Sequence, residues 1–209
     1  MNRVTRIEHS LIEHFLAQVR DRNTPSISFR AMVRRLSLLL AYEATKDLPT
    51  EAVQVETPLA TVEARRLSQR IALVPILRAG LGMVDAVLDL LPEAEVRHLG
   101  FYRDERTLQA IEYYKKLPPS NPVDLALVLD PMLATGGSAV AALDAMQQWG
   151  VPKVKLLSIL AVPEGIARVN SAFPETQIYV CAVDSRLNDS GFIVPGLGDA
   201  GDRIFNARA

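Results

Sequence analysis

Apolar residues in the first fifty positions recur with helical spacing. Ile12, Phe15, Leu16 and Val19 fall at i, i+3, i+4 and i+7. Phe29, Met32, Val33, Leu36, Leu39 and Leu40 continue the rule over a longer span. Two helices are expected, separated at Pro25, with Ser26 or Ser28 capping the second. Stripes of this kind pack against the main body or a partner subunit. From residue 71 the period changes. Ile71–Leu77 is a short apolar run suited to a buried strand. Val84, Val87, Leu88 and Leu91 then mark a helix ended by Pro92, and residues 96–102 form the next strand. A third strand, Leu125–Leu129, precedes a helix with Ala139, Ala142, Leu143 and Met146 inward and Asp144, Gln147 and Gln148 outward, closed by Gly150. A strand at 154–162, a helix at 163–173 and a strand at 178–183 complete the series. Continuous apolar strands alternating with helices predict an α/β fold, with a mostly parallel sheet covered on both faces.

Two segments break this rhythm. Residues 107–117 (TLQAIEYYKKL) are strand-like, run into Pro118-Pro119 and have no helix before the next strand, which fits a hairpin or flap. The C-terminal stretch GFIVPGLGDAGDRIF is too rich in glycine for a regular helix. No internal repeat, low-complexity tract or interdomain linker interrupts the chain.

Composition narrows the class. In 209 residues, 23 Lys+Arg stand against 24 Asp+Glu, a net charge of −1, with 49% hydrophobic and 22% charged residues. That balance disfavours disorder and an extended polybasic nucleic-acid surface. No apolar run reaches the roughly 18 residues of a membrane span, and the first ten residues lack the apolar core of a secretory signal. Cys181, the one cysteine, has no internal disulfide partner and reads as core. His9, His14 and His98 lack metal-site spacing. A cytoplasmic enzyme or ligand-binding protein is expected.

Ligands of such sheets collect beyond the carboxyl ends of the strands. Four of these ends carry chemistry: Pro75-Ile76-Leu77-Arg78-Ala79-Gly80, Tyr102-Arg103-Asp104, Asp130 through Ser138, and Ala161-Val162-Pro163-Glu164-Gly165. In LVLDPMLATGGSA (127–139) an apolar strand delivers Asp130 to the sheet edge, and Thr135, Gly136, Gly137 and Ser138 open a helix. Glycines let the backbone approach a phosphate, first-turn N–H groups point at it, and hydroxyls add donors. The loop lacks the Gly-Lys-Ser/Thr ending of a Walker A sequence. A plain strand–turn–helix junction with a capping hydroxyl is the alternative. Gly196-Leu-Gly198-Asp-Ala-Gly201 spells the dinucleotide fingerprint G-x-G-x-x-G, but a following helix, a second strand and an acidic residue about 20 positions on are needed. Gly201 stands eight residues from the end, so that reading is rejected.

The segment Asp130-Pro-Met-Leu-Ala-Thr-Gly-Gly-Ser138 resembles the phosphoribosyl-pyrophosphate (PRPP) loop of type I phosphoribosyltransferases. In particular it is similar to the form in the uracil phosphoribosyltransferase family, where proline follows the first aspartate. The likeness extends through LLAYEATKDLP (39–49), VPILRAGLGMVD (74–85), EYYKKLP (112–118) and IVPGLGDAGDRIF (193–205), across nearly the whole chain. It implies a type I phosphoribosyltransferase fold with N-terminal helices, a β-hairpin flap and a C-terminal base-binding loop. It implies the reaction of uracil with PRPP to UMP and pyrophosphate, a step of pyrimidine salvage. Asp130 and Arg103 are then the catalytic residues. PRPP would be held by Arg78, Arg103, Asp130, Pro131, Met132, Leu133, Ala134, Thr135, Gly136, Gly137, Ser138 and Asp199, with the 5′-phosphate on Thr135 through Ser138 and pyrophosphate on the two arginines. A strained peptide between Leu77 and Gly80 would serve the same pyrophosphate. Uracil would meet backbone groups at Ile193, Gly198 and Ala200, with Asp199 turned toward PRPP or its metal. Mg²⁺ is the implied cofactor, held mainly through PRPP oxygens and by no dedicated protein site. A homo-oligomer, dimer or larger, is implied, and GTP is the effector of some relatives.

Two departures qualify the likeness. Phe192 stands where this family commonly has Tyr, and Glu105-Arg106 replaces a more usual Pro-Glu pair beside Arg103. Two other functions compete: a regulator that senses PRPP or nucleotides and binds nucleic acid, disfavoured by the balanced charge, and the same transfer to a purine. The motif order favours one domain over residues 1–209, because loops from both ends of the sheet region serve one site.

Overall fold

The computed structural model describes residues 4–103 and 110–207, with the backbone alone of Arg103 and Ala110. In chain order the elements are β1 (Val4–Arg6), α1 (Ser10–Arg20), α2 (Ser26–Thr45), β2 (Thr50–Glu56), β3 (Thr61–Leu67), β4 (Ile71–Leu77), α3 (Leu81–Leu90), β5 (Glu95–Val96), β6 (Leu99–Arg103) and β7 (Ala110–Lys115). They continue as β8 (Leu125–Leu129), β9 (Met132–Leu133), α4 (Gly137–Trp149), β10 (Lys153–Ala161), α5 (Pro163–Ala172), β11 (Gln177–Val183), β12 (Arg186–Leu187), β13 (Ile193–Val194) and α6 (Ala200–Phe205). The main sheet runs β1-β11-β10-β8-β4-β6-β7, with β5 beside β4 and β9 beside β10. Its pairings are parallel except β6 with β7. The carboxyl ends of β4, β6, β8 and β10 therefore share one edge.

Side-chain size on the two sheet faces decides which helix packs where. Leu73, Leu125, Leu127, Leu129, Leu157 and Ile159 face α1, α2 and α3 in one apolar core. Ala72, Val74, Ala126 and Val128 face α4 in the other, meeting Ala139, Ala142 and Ala145. Small residues on both sides let α4 lie close to the sheet, which brings its N-terminus to the end of β8. Cys181 is buried in the first core, and burial pushes its thiol pKa up. Trp149 is buried in the second.

A buried cation fixes the far edge of the sheet. Lys155 on β10 is fully buried, donates to the Ala44 carbonyl at 2.5 Å and pairs with Asp47. It thereby satisfies a terminal carbonyl of α2 that the helix leaves without a partner. Burial lowers the Lys155 pKa. For Asp47 burial alone acts upward, and Lys155 and Lys153 outweigh it and hold the carboxyl below its ordinary value.

Several expectations need correction. Neither Ser26 nor Ser28 caps α2: Pro25 is the N-cap without a side-chain bond, and the Ser26 hydroxyl turns to Asn206 Oδ1 at 3.1 Å. The strand expected at 96–102 is two pieces, β5 and β6. Their break falls opposite Val74 and Pro75, and proline supplies no N–H to a ladder. Residues 50–67, left unassigned by the apolar pattern, form the β2–β3 hairpin, paired from Thr50↔Leu67 to Glu56↔Thr61. Most of it is exposed, so no core-facing stripe announces it. The glycine-rich C-terminus does contain a helix: α6 begins where Asp199 accepts from the Asp202 amide at 2.9 Å. Residues 107–109 of the expected flap, and the Glu105-Arg106 departure, lie outside the described residues; β7 forms a hairpin strand with β6.

Candidate active site

Three adjoining hollows open along the shared strand edge. The smallest, about 60 Å³, lies within the phosphate loop, from Asp130 and Met132 to Ala139. A second, about 210 Å³, joins the β4 turn (Leu77, Arg78, Ala79) to Asp130, Ser138 and Asp199. The third, about 330 Å³, is bounded by Ala79, Met132, Ala134, Phe192, Ile193 and residues 198–201. Asp130 and Ser138 wall both the first and the second, while Ala79, Asp199 and Gly201 wall both the second and the third. The hollow of about 510 Å³ between α4, α5 and the starts of β10 and β11 is larger. It sits at the opposite edge and holds none of the candidate residues.

The phosphate loop is built from sheet hydrogen bonds. The Asp130 amide donates to the Leu157 carbonyl at 3.2 Å, and Ile159 and Leu160 donate to the Pro131 carbonyl. Pro131 is therefore buried in the sheet and lines none of the three hollows. Val162 donates to the Leu133 carbonyl at 3.2 Å. Gly136 then turns the chain at φ 75° as the N-cap of α4. A side chain there would be strained and would bring its Cβ 3.0 Å from the Gly165 carbonyl. Met132, Ala134, Thr135, Gly137 and Ser138 line the same cradle. Asp130 Oδ1 accepts from the Met132 amide at 3.2 Å. Burial pushes its carboxyl up to about 7, against the weaker downward pull of that amide.

The β4 turn contributes Arg78, after a cis Leu77–Arg78 peptide. Its guanidinium pairs with Asp202 Oδ1 on α6 at 3.0 Å. Arg103 closes β6, its backbone paired with Ala110; its side chain lies outside what the structure describes. Asp199 is exposed, lines two hollows and gives Oδ1 to the α6 cap.

The base loop is held from a distance. Ile193 and Ala200 are buried and Gly198 is exposed. Asn188 shapes the entry: its side chain accepts from Ser190 at 3.1 Å and from Phe192 at 2.8 Å. The Phe192 ring carries no hydroxyl to the hollow it lines. Gly196 has φ 62°, and a Cβ there would stand 2.1 Å from the Ile193 carbonyl. Sequence reasoning missed the residues that fix this loop. Arg20 at the end of α1 bonds both oxygens of Asp184, at 2.8 and 2.6 Å, and also the Gly196 carbonyl at 2.9 Å. Asp184 accepts from the Gly196 amide at 2.9 Å. Burial alone would raise the Asp184 carboxyl; Arg20 and the amide outweigh it and hold it below its ordinary value. Arg203 donates to the Leu197 carbonyl at 2.7 Å and to Asp21 at 2.6 Å, and stacks on Phe29 at 4.2 Å. Arg168 on α5 was missed too; its guanidinium lies 3.4 Å from the Thr135 carbonyl.

Among the described residues, no group of three or more His, Cys, Asp or Glu is arranged to hold a metal ion, and no helix is long and apolar enough to cross a membrane.

A family model described as uracil phosphoribosyltransferase matches residues 6–207. The chain is 54% identical over 198 residues to a uracil phosphoribosyltransferase of Roseiflexus sp. (strain RS-1), covering 95% of each. It is 51% identical over 209 residues to that of Alkaliphilus oremlandii, covering 100% of each. A solved protein from Aquifex aeolicus is similar at TM-score 0.93 and 39% identity, over 99% of both chains. A hypoxanthine phosphoribosyltransferase from Trypanosoma cruzi shares the fold at TM-score 0.50 and 12% identity, over 76% of this chain and 75% of that one. The central parallel sheet, the loop order and these relatives agree, and the chain belongs to the uracil phosphoribosyltransferase family.

Proposed function

We propose that the protein transfers the 5-phosphoribosyl group of PRPP to uracil, releasing pyrophosphate and forming UMP for pyrimidine salvage. The bond from the anomeric carbon to pyrophosphate breaks, the bond from that carbon to uracil N1 forms, and the N1 proton is lost. The observation that carries this reading is the row of three hollows with shared walls. In order they suit a phosphate, a ribosyl pyrophosphate and a planar base.

The residue roles follow from that order. Thr135, Gly136, Gly137 and Ser138 receive the 5′-phosphate at the start of α4, with Met132, Leu133 and Ala134 shaping the cradle. Arg168 adds a cation beside the loop. Asp130 accepts from the ribose hydroxyls, and its negative charge stabilises the oxocarbenium-like centre. Arg78 exchanges Asp202 for pyrophosphate, and Arg103 joins it from β6. Backbone groups at Ile193, Gly198 and Ala200 read the edge of the pyrimidine. Fixed amides discriminate because a base with the wrong donor pattern leaves them unpaired.

Asp130 and Asp199 supply hard carboxylate oxygens beside the second hollow, a set that fits Mg²⁺ bound mainly through substrate oxygens. When bound, the ion would neutralise charge on the departing pyrophosphate. One domain spanning residues 1–209, cytoplasmic residence, a homo-oligomer and a response to GTP complete the proposal. Light scattering and UMP synthesis with and without GTP test the last two. The function itself is tested by incubation with uracil, PRPP and Mg²⁺: UMP and pyrophosphate are expected in equal amounts, and no product above a no-enzyme control overturns the reading.

A further inference from the structure

The base loop carries backbone groups that must be aimed, yet residues 195–199 belong to no strand or helix. Its aim comes from elsewhere. Gly196 has both of its backbone polar groups taken: its carbonyl accepts from Arg20 and its amide donates to Asp184. Arg20 and Asp184 bond each other twice, and the Asp184 side chain is 6% exposed. Asp184 is itself fixed, since its amide donates to the Ala161 carbonyl at the end of β10, at 2.8 Å. The Ser185 hydroxyl donates to the Val194 carbonyl at 2.9 Å. Arg203 ties the Leu197 carbonyl to the Val19 and Asp21 carbonyls at the end of α1. The loop is thus suspended between the end of α1 and the strand edge, with Gly198 and Ala200 just beyond the suspended residues.

We propose that Arg20 and Asp184 are positioning residues for base selection: their bidentate pair, closed on both backbone groups of Gly196, sets the aim of the amides that read the pyrimidine. The proposal rests on the reading of the third hollow as the base site. Neither side chain lines that hollow, so the effect passes through the backbone of residues 194–198. Arg20 supplies two parallel bonds to a carboxylate and a third to a carbonyl, which the point charge of lysine does not reproduce. Asparagine at 184 keeps one acceptor for the Gly196 amide but gives up the charge. Misplacement of a binding group by about 1 Å can cost on the order of a hundredfold in rate.

The test compares R20K and D184N with the unaltered protein. Steady-state kinetics gives separate KM values for uracil and PRPP, a base panel gives the preference for uracil over cytosine, and hydrogen exchange follows the amides. Both variants are expected to lower kcat/KM for uracil by about tenfold or more and to narrow the uracil preference, with the PRPP KM within about twofold. Exchange at residues 193–200 should quicken, while residues 130–138 stay as they were. A purely structural pair would move both KM values together or neither, with thermal stability carrying the whole effect, and either result overturns the proposal. Should one variant fail to fold, the other still decides. If the unaltered protein makes no UMP, the reading of the site has failed. The exchange contrast then stands as the separate test of the clamp: equal protection of residues 193–200 in variants and parent refutes it.

Discussion

The phosphate loop and the base loop both turn on left-handed glycines, Gly136 at φ 75° and Gly196 at φ 62°, but different forces hold them. The phosphate loop hangs from the neighbouring strand's backbone: the Leu157 carbonyl accepts from Asp130, and the Ile159, Leu160 and Val162 amides donate to the carbonyls of Pro131 and Leu133. Ile193 and Val194 of the base loop pair with β12, but beyond them the loop hangs from side chains. Its main anchor, Arg20, lies 164 residues from Asp184 and 176 from Gly196 in the chain. A loop on a ladder inherits the rigidity of the sheet. A loop on arginines depends on a few charge-assisted bonds and can be retuned by changing one of them. The invariant part of the chemistry, phosphate capture, sits on the stiff support, and recognition of the base sits on the adjustable one.

Asp130 gives the largest expected break between the two. Asp130→Asn should lower kcat by about a hundredfold to a thousandfold, the usual loss for one preorganised electrostatic group. The dissociation constant of ribose 5-phosphate, measured by calorimetry, should move less than about threefold. Equal losses in both would contradict the role given to Asp130. Next come the two glycines. Holding a side chain in the left-handed region costs about 1–2 kcal/mol, roughly tenfold in an equilibrium. Gly136→Ala should therefore raise the PRPP KM by about tenfold and spare uracil, while Gly196→Ala, whose Cβ would also meet the Ile193 carbonyl at 2.1 Å, should raise the uracil KM by at least about tenfold and spare PRPP. Parallel changes in both constants would erase the proposed division of labour.

The pH response is smaller. Burial pushes the Asp130 carboxyl up to about 7, so the free enzyme holds it partly protonated near neutrality. Substrate hydroxyls need the ionised form. kcat/KM for PRPP should be about fourfold lower at pH 6.5 than at pH 8, and Asp130→Asn should abolish that limb. The same shift has a sign for stability. The folded state binds more protons here than the unfolded chain, so this group's contribution declines as pH rises from about 4 toward 7. Asp47 and Asp184, held below their ordinary values, act oppositely and lose their contribution as pH falls below about 4. Thermal scans of Asp130→Asn and the parent across this range should separate the two trends. The smallest effect belongs to Arg168. Arg168→Ala should raise the PRPP KM by about threefold, diminishing with added salt, as befits an exposed cation. A change in the uracil KM instead would place Arg168 with the wrong loop.

The same contrast explains what was readable in the sequence. Every part of the phosphate loop lies within nine consecutive residues, 130–138, after an apolar strand, so local pattern and glycine chemistry reveal it. The strands β4 and β8 were legible to the residue because they are buried through nearly their whole length and read as continuous apolar runs. The base loop was visible only as glycines with a family likeness. Arg20, Asp184 and Arg203 look like ordinary charges until the fold brings α1 to the strand edge. The α6 helix hid behind Gly198 and Gly201, although its Asp199 cap was already noted for another role. The β2–β3 hairpin escaped because both faces are largely exposed, leaving no apolar period to detect.

The central claim, one site that joins a phosphate cradle to a uracil-reading loop, meets its most direct test in a single base panel. The purified protein is incubated with PRPP and Mg²⁺ and, in parallel, uracil, cytosine, hypoxanthine or orotate, and nucleotide and pyrophosphate are followed together. UMP formed from uracil, with little product from the other three bases, is the predicted result; no nucleotide from uracil, or equal turnover of hypoxanthine, would contradict the account.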